Sequence, residues 1–266
     1  MSERLVFLKL GGSLITDKNL AHTPRLPFLA CLAGEIAGVL AEDPHLRIVL
    51  GHGSGSFGHV PASKYQTRLG VQSPEEWHGF VEVWREAAEL NHIVMHALGN
   101  AGLPALAFPP SAMLVAHQGK VVTWDLAPMQ QALDRGLLPV IYGDTVFDTA
   151  LGGTILSTED LFAHLAQKIQ PTRLLLAGDQ PGVWADFPAK AHLLTELTPA
   201  DLPQIEMGLG GSSATDVTGG MAGKVCKVLS MVAASPALRA CIFSGEKPGN
   251  VRRALLGEPL GTEIHS

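Results

Sequence analysis

The sequence predicts an α/β fold in which helices cover both faces of a mainly parallel sheet. Short apolar runs alternate with segments of helical periodicity along the chain, and this alternation is typical of βαβ units. Of the 266 residues, 46% are hydrophobic but only 6% are aromatic, which favours a packed parallel sheet over an aromatic-rich sandwich. Glycine or aspartate follows several of the apolar runs, at the strand ends where such sheets bind ligands.

The predicted strands are apolar runs too short for helices, and the first runs into a pair of glycines. In chain order they are residues 5–10, 47–50, 105–108, 120–124, 138–142, 173–177 and 238–243. The predicted helices have apolar residues three or four positions apart. They are residues 27–42, 74–100, 128–135, 158–169, 219–234 and 249–256. The longest has a clear start signal, because Ser73 can cap it while Pro74 and Glu76 occupy its first turn. Residues 186–213 are rich in Pro, Gly and Ser, and we expect mainly loop there.

Charge and cysteine content narrow the class of protein. A formal net charge of −6 argues against nucleic acid as the main partner, because phosphate backbones are held by basic surfaces. Cys31, Cys226 and Cys241 are odd in number and far apart, so no disulfide framework is predicted. The first apolar run is interrupted by Lys9 and is too short for a signal segment, and no later run is long enough to cross a membrane. We therefore expect a cytoplasmic protein without a membrane partner.

The segment KLGGS, residues 9–13, joins a lysine in a strand to a glycine turn. Two glycines after a strand let the backbone turn sharply and bring N–H groups close to phosphate oxygens. Lys9 has apolar neighbours, where a charge is costly unless the side chain reaches an anion at the strand end. The alternative is a flexible turn with a surface lysine.

A second glycine-dense segment, GHGSGSFGH, covers residues 51–59. It contains the pattern GxGxxG, but Pro61 and polar residues follow, so we predict no helix directly after the glycines and therefore no dinucleotide site. A protein kinase is excluded because HRD and DFG are absent. The remaining interpretation is a loop that wraps a phosphate, with His59 at its end as a binding residue. A hydrogen-bonded structural histidine is the alternative.

The segment TGGMAGK, residues 218–224, resembles a Walker A loop but has the wrong glycine spacing and no Ser or Thr after Lys224. Lys224 falls in the first turns of a predicted helix, where the helix terminus already favours anions. Carboxylates near strand ends could also hold Mg²⁺ or orient lysines, although each one alone is more typical of a cap or turn. They are Asp144, Asp148, Glu159, Asp160 and Asp179.

Taken together, these motifs resemble the amino acid kinase superfamily and, within it, the isopentenyl phosphate kinases. The resemblance covers nearly the whole chain. In order, its segments are KLGGSLITDK, GHGSGSFGH, PVIYGDTVFD, ILSTEDLFAHLA, GDQPGVW, DVTGGMAGKV and PGNVRRALLGEPLGTEI. The resemblance implies a three-layer αβα sandwich around a mainly parallel sheet, formed by residues 1–266 as a single domain and usually dimeric. The amino-terminal half would bind the acceptor and the carboxyl-terminal half, from about residue 170, the nucleotide.

The resemblance also assigns roles to individual residues. The residues expected to take part in catalysis are Lys9, Lys18, His59 and Lys224. The residues expected to bind ATP are Lys9, Gly11, Gly12, Ser13, Ser54, Asp179, Gly220 and Lys224. Those expected to bind the acceptor are Gly53, Gly58, His59, Gly153, Trp77 and Trp84. Mg²⁺ would accompany ATP without a dedicated protein site.

The chain departs from the family pattern at two places. Ser54 replaces a glycine that is common in the second phosphate loop, and it could tighten the loop or add a hydroxyl donor. Thr158, Glu159 and Asp160 stand where a Gly-Asp-Asp run is common. Whether Glu159 or Asp160 organises the lysines stays open at this point.

The implied reaction is phosphorylation of isopentenyl phosphate by ATP. An acceptor that is a phosphate monoester is largely ionised at pH 7, so the reaction needs cations rather than a general base. Trp77 and Trp84 lie on an apolar stripe that would wall the prenyl tail, although such a stripe is also typical of a helix packed on a core. The alternatives are a fosfomycin-type kinase of the same fold and a non-catalytic nucleotide-binding module, against which the three lysines argue.

Overall fold

The structure is a computed structural model that describes residues 4–186, 189–203, 205 and 220–266, without the side chains of residues 59–61. It contains a large sheet, a smaller four-stranded sheet and one two-stranded ribbon. The strands are β1 Arg4–Leu10, β2 Leu46–His52, β3 Ala105–Ala107, β4 Leu114–His117, β5 Lys120–Trp124, β6 Leu138–Tyr142, β7 Asp144–Asp148, β8 Gly152–Leu156, β9 Arg173–Gly178, β10 Val183–Trp184, β11 Leu193–Leu194, β12 Glu196–Leu197, β13 Arg239–Ser244 and β14 Thr262–Ile264.

The large sheet has eight strands in the order β12-β14-β13-β9-β1-β2-β6-β3. All of its pairs are parallel except β13 with β14. The smaller sheet, β5-β4-β7-β8, is antiparallel apart from β4 with β7. Because β1 lies next to both β2 and β9, the carboxyl ends of these three strands meet near the middle of the large sheet.

The helices pack on both faces of the large sheet. They are α1 Gly12–Ile15, α2 Leu26–Glu42, α3 Gly55–Tyr65, α4 Pro74–Asn100, α5 Pro110–Met113, α6 Ala127–Asp134, α7 Thr158–Ile169, α8 Gly220–Ala234 and α9 Asn250–Leu256. Single turns of 3₁₀ helix occur at Thr67–Leu69 and Pro199–Asp201. Among the described residues, no helix is both long and apolar enough to cross a membrane.

Two hydrophobic cores, one on each face, account for the three layers. Along β1, Phe7 belongs to the core that includes α7 and α8, whereas Val6 and Leu8 belong to the core that includes α2 and α4. This alternation follows from the two-residue period of a strand. On the first face, the Phe7 ring stacks on Phe162 of α7 with 4.8 Å between ring centroids. The predicted αβα sandwich with a mainly parallel sheet is therefore confirmed.

The helix at the second glycine segment was not predicted from the sequence. The prediction of no helix directly after those glycines is wrong, because α3 begins at Gly55. Gly58 and Pro61 are both poor helix formers, which hides this helix from a propensity argument. Tertiary contacts hold its first turn: Phe57 is fully buried, and Thr16 Oγ1 accepts a hydrogen bond of 2.9 Å from the Ser56 N–H.

Candidate active site

The candidate site lies where β1, β2 and β9 end side by side. Lys9 pairs in register with Gly51 of β2 and with Leu176 of β9. The chain is then fixed by two backbone hydrogen bonds, from Gly11 N to Ala177 O at 2.8 Å and from Gly53 N to Leu10 O at 3.1 Å. The two predicted phosphate loops are thus brought together by the parallel order of the sheet.

The two loops lie back to back, so closely that side chains are excluded. A Cβ atom on Gly53 would lie 2.8 Å from the backbone nitrogen of Gly12, and a Cβ on Gly12 would lie 2.6 Å from the Cα of Gly55. Real Cβ atoms do not approach backbone this closely. Glycine is therefore required here for loop-to-loop contact, and the same contact presents backbone of both segments at one place.

Ser54 precedes α3 and fills space that a second side chain cannot share. A Cβ on Gly58 would lie 2.7 Å from the Ser54 Cβ, so glycine is needed at position 58 while Ser54 is present. The structure shows no side-chain cap from Ser54 to α3. The side chain of His59, the predicted acceptor ligand, lies outside the described residues, although its backbone belongs to α3.

Lys9 contacts one buried carboxylate, Glu159, in the first turn of α7, and the charge of Lys224 also acts on this group. Lys9 Nζ donates a hydrogen bond to Glu159 Oε1, and only 10% and 8% of these side chains are exposed. Burial would raise the pKa of Glu159, but the charges of Lys9 and Lys224 outweigh it and hold the pKa well below its usual range. Glu159 is therefore an anion in the folded protein, paired with Lys9 and stabilised by the charge of Lys224. In the structure it is Glu159 that pairs with Lys9, whereas Asp160 pairs with Lys227.

Lys18 and Asp179 form a partly exposed ion pair at the candidate site. Lys18 Nζ donates to Asp179 Oδ2, and the lysine side chain is 56% exposed while that of the aspartate is 30% exposed. Burial would raise the pKa of Asp179, but the hydrogen bond and charge of Lys18 lower it. A residue predicted for catalysis and one predicted for ATP thus lie in contact, although they are 161 positions apart in the chain.

Asp160 binds a different set of cations, which sequence reasoning missed. Its Oδ1 lies 2.5 Å from Lys227 Nζ, and its Oδ2 accepts a hydrogen bond of 3.1 Å from Arg68. Ser157 and Asp160 also form a reciprocal capping box at the start of α7. The spacing Ser-x-x-Asp before an apolar helix was the available signal, whereas nothing in the sequence pointed to Lys227 or Arg68.

Trp77 lies in an aromatic cluster beside the β7–β8 hairpin. Its ring centroid is 5.2 Å from that of Phe80 and 6.0 Å from that of Phe147. Gly153 faces the same cluster, since a Cβ there would lie 2.8 Å from Phe80 Cε2. Trp84 is 42% exposed, and the structure does not place it in this cluster. Two of the predicted acceptor residues, Trp77 and Gly153, are thus brought together.

Asp144 and Asp148 are occupied by structural hydrogen bonds. Asp144 Oδ2 accepts from the Ser111 N–H at 3.1 Å, and burial raises the pKa of this carboxyl to about 6. Asp148 accepts four backbone N–H groups, two from the β4–β5 turn and two from the β7–β8 turn. Neither carboxylate contacts the lysines in the described structure. Both act as turn and loop anchors, the alternative that the sequence had left open.

The remaining predicted positions are described in part. Gly11 and Ser13 flank the start of α1, where Gly11 is the N-cap residue and Ser13 lies in the first turn. Gly220 is the first residue of α8, and residues 206–219 before it lie outside the described part of the chain. The glycine segment that leads to Lys224 can thus be located only at its helical end.

The similarity to known proteins extends over nearly the whole chain. Residues 4–244 match the amino acid kinase family. The isopentenyl phosphate kinase of Methanothermobacter thermautotrophicus is 36% identical, with 98% of each chain covered. That of Haloferax volcanii is 37% identical over 94% of this chain and 98% of its own. A crystal structure described as isopentenyl phosphate kinase superposes with a TM-score of 0.82 at 30% identity, covering 98% of this chain and 100% of the other.

Proposed function

Because the chain belongs to the amino acid kinase family, and within it to the isopentenyl phosphate kinases, we propose that it phosphorylates isopentenyl phosphate with ATP. The product is isopentenyl diphosphate, a precursor of isoprenoids. The structural observation that carries this proposal is the buried ion pair of Lys9 with Glu159, on which the charge of Lys224 also acts, next to two closely packed glycine loops. Such a site brings fixed cations and backbone N–H groups to one place, as the transfer of a phosphoryl group between two anions requires.

The proposed phosphoryl transfer does not require a general base to deprotonate the acceptor. The second pKa of a phosphate monoester is about 6, so the attacking oxygen is already largely ionised at pH 7. The barrier comes instead from bringing the acceptor phosphate close to the γ-phosphate of ATP. Positioning and charge neutralisation lower that barrier, and both depend on lysines held in fixed directions.

Each lysine has a distinct part in this proposal. Lys9 is held at the end of β1 by Glu159, so its ammonium group is aimed before substrates arrive. Lys18 is more exposed and is held by Asp179 at the mouth of the site, from where it would reach the transferring group. Lys224 would neutralise phosphate oxygens of ATP from the first turns of α8.

We propose that the amino-terminal half binds the acceptor and the part from about residue 170 binds the nucleotide. In support, the β2 loop, α3 and the aromatic cluster around Trp77 lie in the first part, while Asp179 and α8 lie in the second. His59 would bind the phosphate of the acceptor from α3. Gly11, Gly12, Ser13 and Ser54 would offer backbone or hydroxyl donors where the two parts meet.

The prenyl tail is proposed to lie against Trp77 rather than against solvent. Replacing Trp77 with alanine should open the aromatic cluster and let the enzyme accept longer prenyl phosphates. Trp84→Ala on the same helix is the matched control, because Trp84 is 42% exposed and lies outside the cluster. If both variants change chain-length preference equally, Trp84 is a pocket wall too, as the resemblance implies. If neither does, the stripe belongs to the fold alone.

Mg²⁺ is proposed to arrive bound to ATP. When bound, it supplies positive charge that offsets the β- and γ-phosphate oxygens. In support, Glu159, Asp160 and Asp179 each pair with a lysine in the structure. Elsewhere, ligand atoms of His22, Glu86 and Glu89 lie within 4.8 Å of one another, but His22 pairs with Glu86 at 3.0 Å and none of the three contacts the lysine cluster in the described structure.

A homodimer and a cytoplasmic location remain predictions of the family resemblance. Exposed Val81 and Trp84, three positions apart on α4, are compatible with burial against a second copy. Analytical ultracentrifugation at micromolar concentration measures the oligomeric state directly. A monomer that turns over normally would remove the dimer from the proposal without affecting the reaction.

The reaction is tested by measuring ATP turnover with isopentenyl phosphate, dimethylallyl phosphate, fosfomycin and UMP in parallel. We expect the highest kcat/KM with isopentenyl phosphate. A preference for fosfomycin would assign the chain to the fosfomycin-type alternative. ATP binding with no turnover of any acceptor would identify a nucleotide-binding module that has lost transfer.

A further inference from the structure

The carboxylate of Asp160 is bound from two sides by parts of the chain that are far apart in sequence. Lys227 of α8 lies against Oδ1, and Arg68 of the turn Thr67–Leu69 lies against Oδ2. The side chains of Asp160, Lys227 and Arg68 are 18%, 29% and 30% exposed. Ion pairs this well covered are less screened than surface pairs, so both contacts restrain the segments that carry them.

Each of the two segments leads to one of the two proposed substrate sites. Lys227 follows Lys224 by three positions on α8, so the two lysines lie on the same face of that helix. The turn that carries Arg68 follows α3 and is tied to β8, because Thr154 Oγ1 donates to the Arg68 carbonyl at 3.0 Å. Gly153, next to Thr154, faces the Trp77 cluster. One side of Asp160 is therefore tied to the helix proposed to bind the nucleotide and the other to the turn on the proposed acceptor side.

Asp160 also adjoins Glu159, which pairs with Lys9 and feels the charge of Lys224. Two consecutive carboxylates in the first turn of α7 thus pair with different cations, Glu159 with Lys9 and Asp160 with Lys227 and Arg68. Capping of α7 does not require the charge of Asp160, since the capping contacts with Ser157 use a single oxygen, Oδ2, and the Asp160 N–H. The ion pair with Lys227 uses the other oxygen, Oδ1, and requires the negative charge of the Asp160 carboxylate.

We propose that Asp160 is a positioning residue that couples the two substrates, by holding the nucleotide-side helix α8 and the acceptor-side turn Thr67–Leu69 to one carboxylate. The proposal rests on the assignment of ATP and isopentenyl phosphate to this chain. When one substrate orders its own side, the shared carboxylate orders the other, so the second substrate binds more tightly. Coupling of this kind is reciprocal and is measured as a ratio of dissociation constants.

The test measures the Kd of isopentenyl phosphate by calorimetry, with and without saturating β,γ-imido-ATP. The ratio of the two values should be at least about 5 for the wild type, the lower end of typical coupling. Asp160→Asn keeps an oxygen for the α7 cap but loses the charge, and it should bring the ratio close to 1. Lys227→Met should do the same, and the double variant should add little, because both changes break one interaction.

Two further variants separate positioning from general loss of structure. Lys227→Arg keeps the ion pair and should keep the ratio of the wild type. Glu42→Gln removes an exposed pair with Arg252 and should also leave the ratio unchanged. Arg68→Met removes the acceptor-side contact and should lower the ratio, which gives an independent reading if Asp160→Asn does not fold.

The outcomes distinguish this inference from the proposed function. A wild-type ratio near 1, or an unchanged ratio in folded Asp160→Asn and Lys227→Met, overturns the coupling while turnover of isopentenyl phosphate persists. Absence of that turnover in the wild type defeats the proposed function, and the coupling falls with it.

Discussion

Replacing Glu159 with glutamine tests whether one buried carboxylate holds the catalytic lysines. The substitution keeps the shape of the side chain but leaves the ammonium group of Lys9, whose side chain is only 10% exposed, without its anion. The charge of Lys224, which also lowers the pKa of Glu159, loses the same counter-charge. Breaking a buried ion pair by removing one partner typically costs about 3–5 kcal/mol. We expect Glu159→Gln to lose that much unfolding free energy at pH 7.

The assay is urea unfolding followed by circular dichroism, with Glu42→Gln as the matched control. Glu42 pairs with Arg252 at 2.8 Å, but the two side chains are 51% and 43% exposed, so its removal should cost less than about 1 kcal/mol. The kcat of Glu159→Gln should fall about 100-fold, because displacement of reacting groups by about 1 Å has effects of that size.

The pH dependence gives a second reading of the same interaction. The folded pKa of Glu159 lies below its usual value, so the stabilisation it provides is present above about pH 4.3 and is lost as pH falls towards the folded pKa. The stability difference between wild type and Glu159→Gln should therefore shrink below that pH. Unfolding within about 1 kcal/mol of the wild type at pH 7, together with an unchanged kcat, would refute the role of Glu159.

Three other changes give predictions of different kinds. Lys18→Ala or Lys224→Ala should reduce kcat by far more than it reduces stability, and a near-normal kcat in a folded variant would remove that lysine from the mechanism. His59→Ala should lower kcat/KM for isopentenyl phosphate by roughly 10- to 150-fold, the worth of one charge-assisted hydrogen bond, while calorimetric ATP binding without acceptor hardly changes. Lost ATP binding with normal acceptor affinity would require the two half-sites to be exchanged. Asp144→Asn should stabilise the protein by up to about 3 kcal/mol at pH 7, because burial raises the folded pKa of Asp144 to about 6 from 3.8. The penalty that it removes grows between about pH 3.8 and about pH 6 and then levels off, so urea unfolding at pH 7 and pH 5 should show a smaller gain at pH 5.

The sequence located the ends of the central strands well, because buried parallel strands and glycine turns leave local signals. The predicted strands 120–124 and 138–142 and the helices 74–100 and 158–169 have the bounds that the structure gives. Lys9 stands out in the sequence because burying a charged side chain inside an apolar run costs free energy. In the structure, the compensating anion is Glu159. Such a residue can be identified from the sequence because a single charged side chain interrupts an apolar run.

Elements that depend on tertiary contact were not predicted. Helix α3 was missed because Gly58 and Pro61 oppose a helix locally. The hairpin of β7 with β8 was missed although Asp148 anchors its turn with hydrogen bonds from the N–H groups of Ala150 and Leu151. Within 186–213, expected to be mainly loop, the described residues include short strands such as Glu196–Leu197.

The ion pairs of Asp160 show the limit of reading a site from sequence. Arg68 and Lys227 lie 92 and 67 positions away from it, and no periodicity connects such distant residues. Only the fold, which brings the turn after α3 and the helix α8 to the start of α7, places them together. The capping box with Ser157 could have shown that Asp160 serves α7, but not that it binds two cations.

The proposed reaction joins the γ-phosphoryl group of ATP to the phosphate of isopentenyl phosphate. Phosphorus NMR of the protein with ATP and isopentenyl phosphate follows every phosphorus atom in the reaction. We predict that the acceptor monoester signal is replaced by the two coupled signals of a diphosphate, in step with the formation of one ADP per acceptor. Loss of ATP to ADP and free phosphate, with the monoester signal intact, would contradict this reaction.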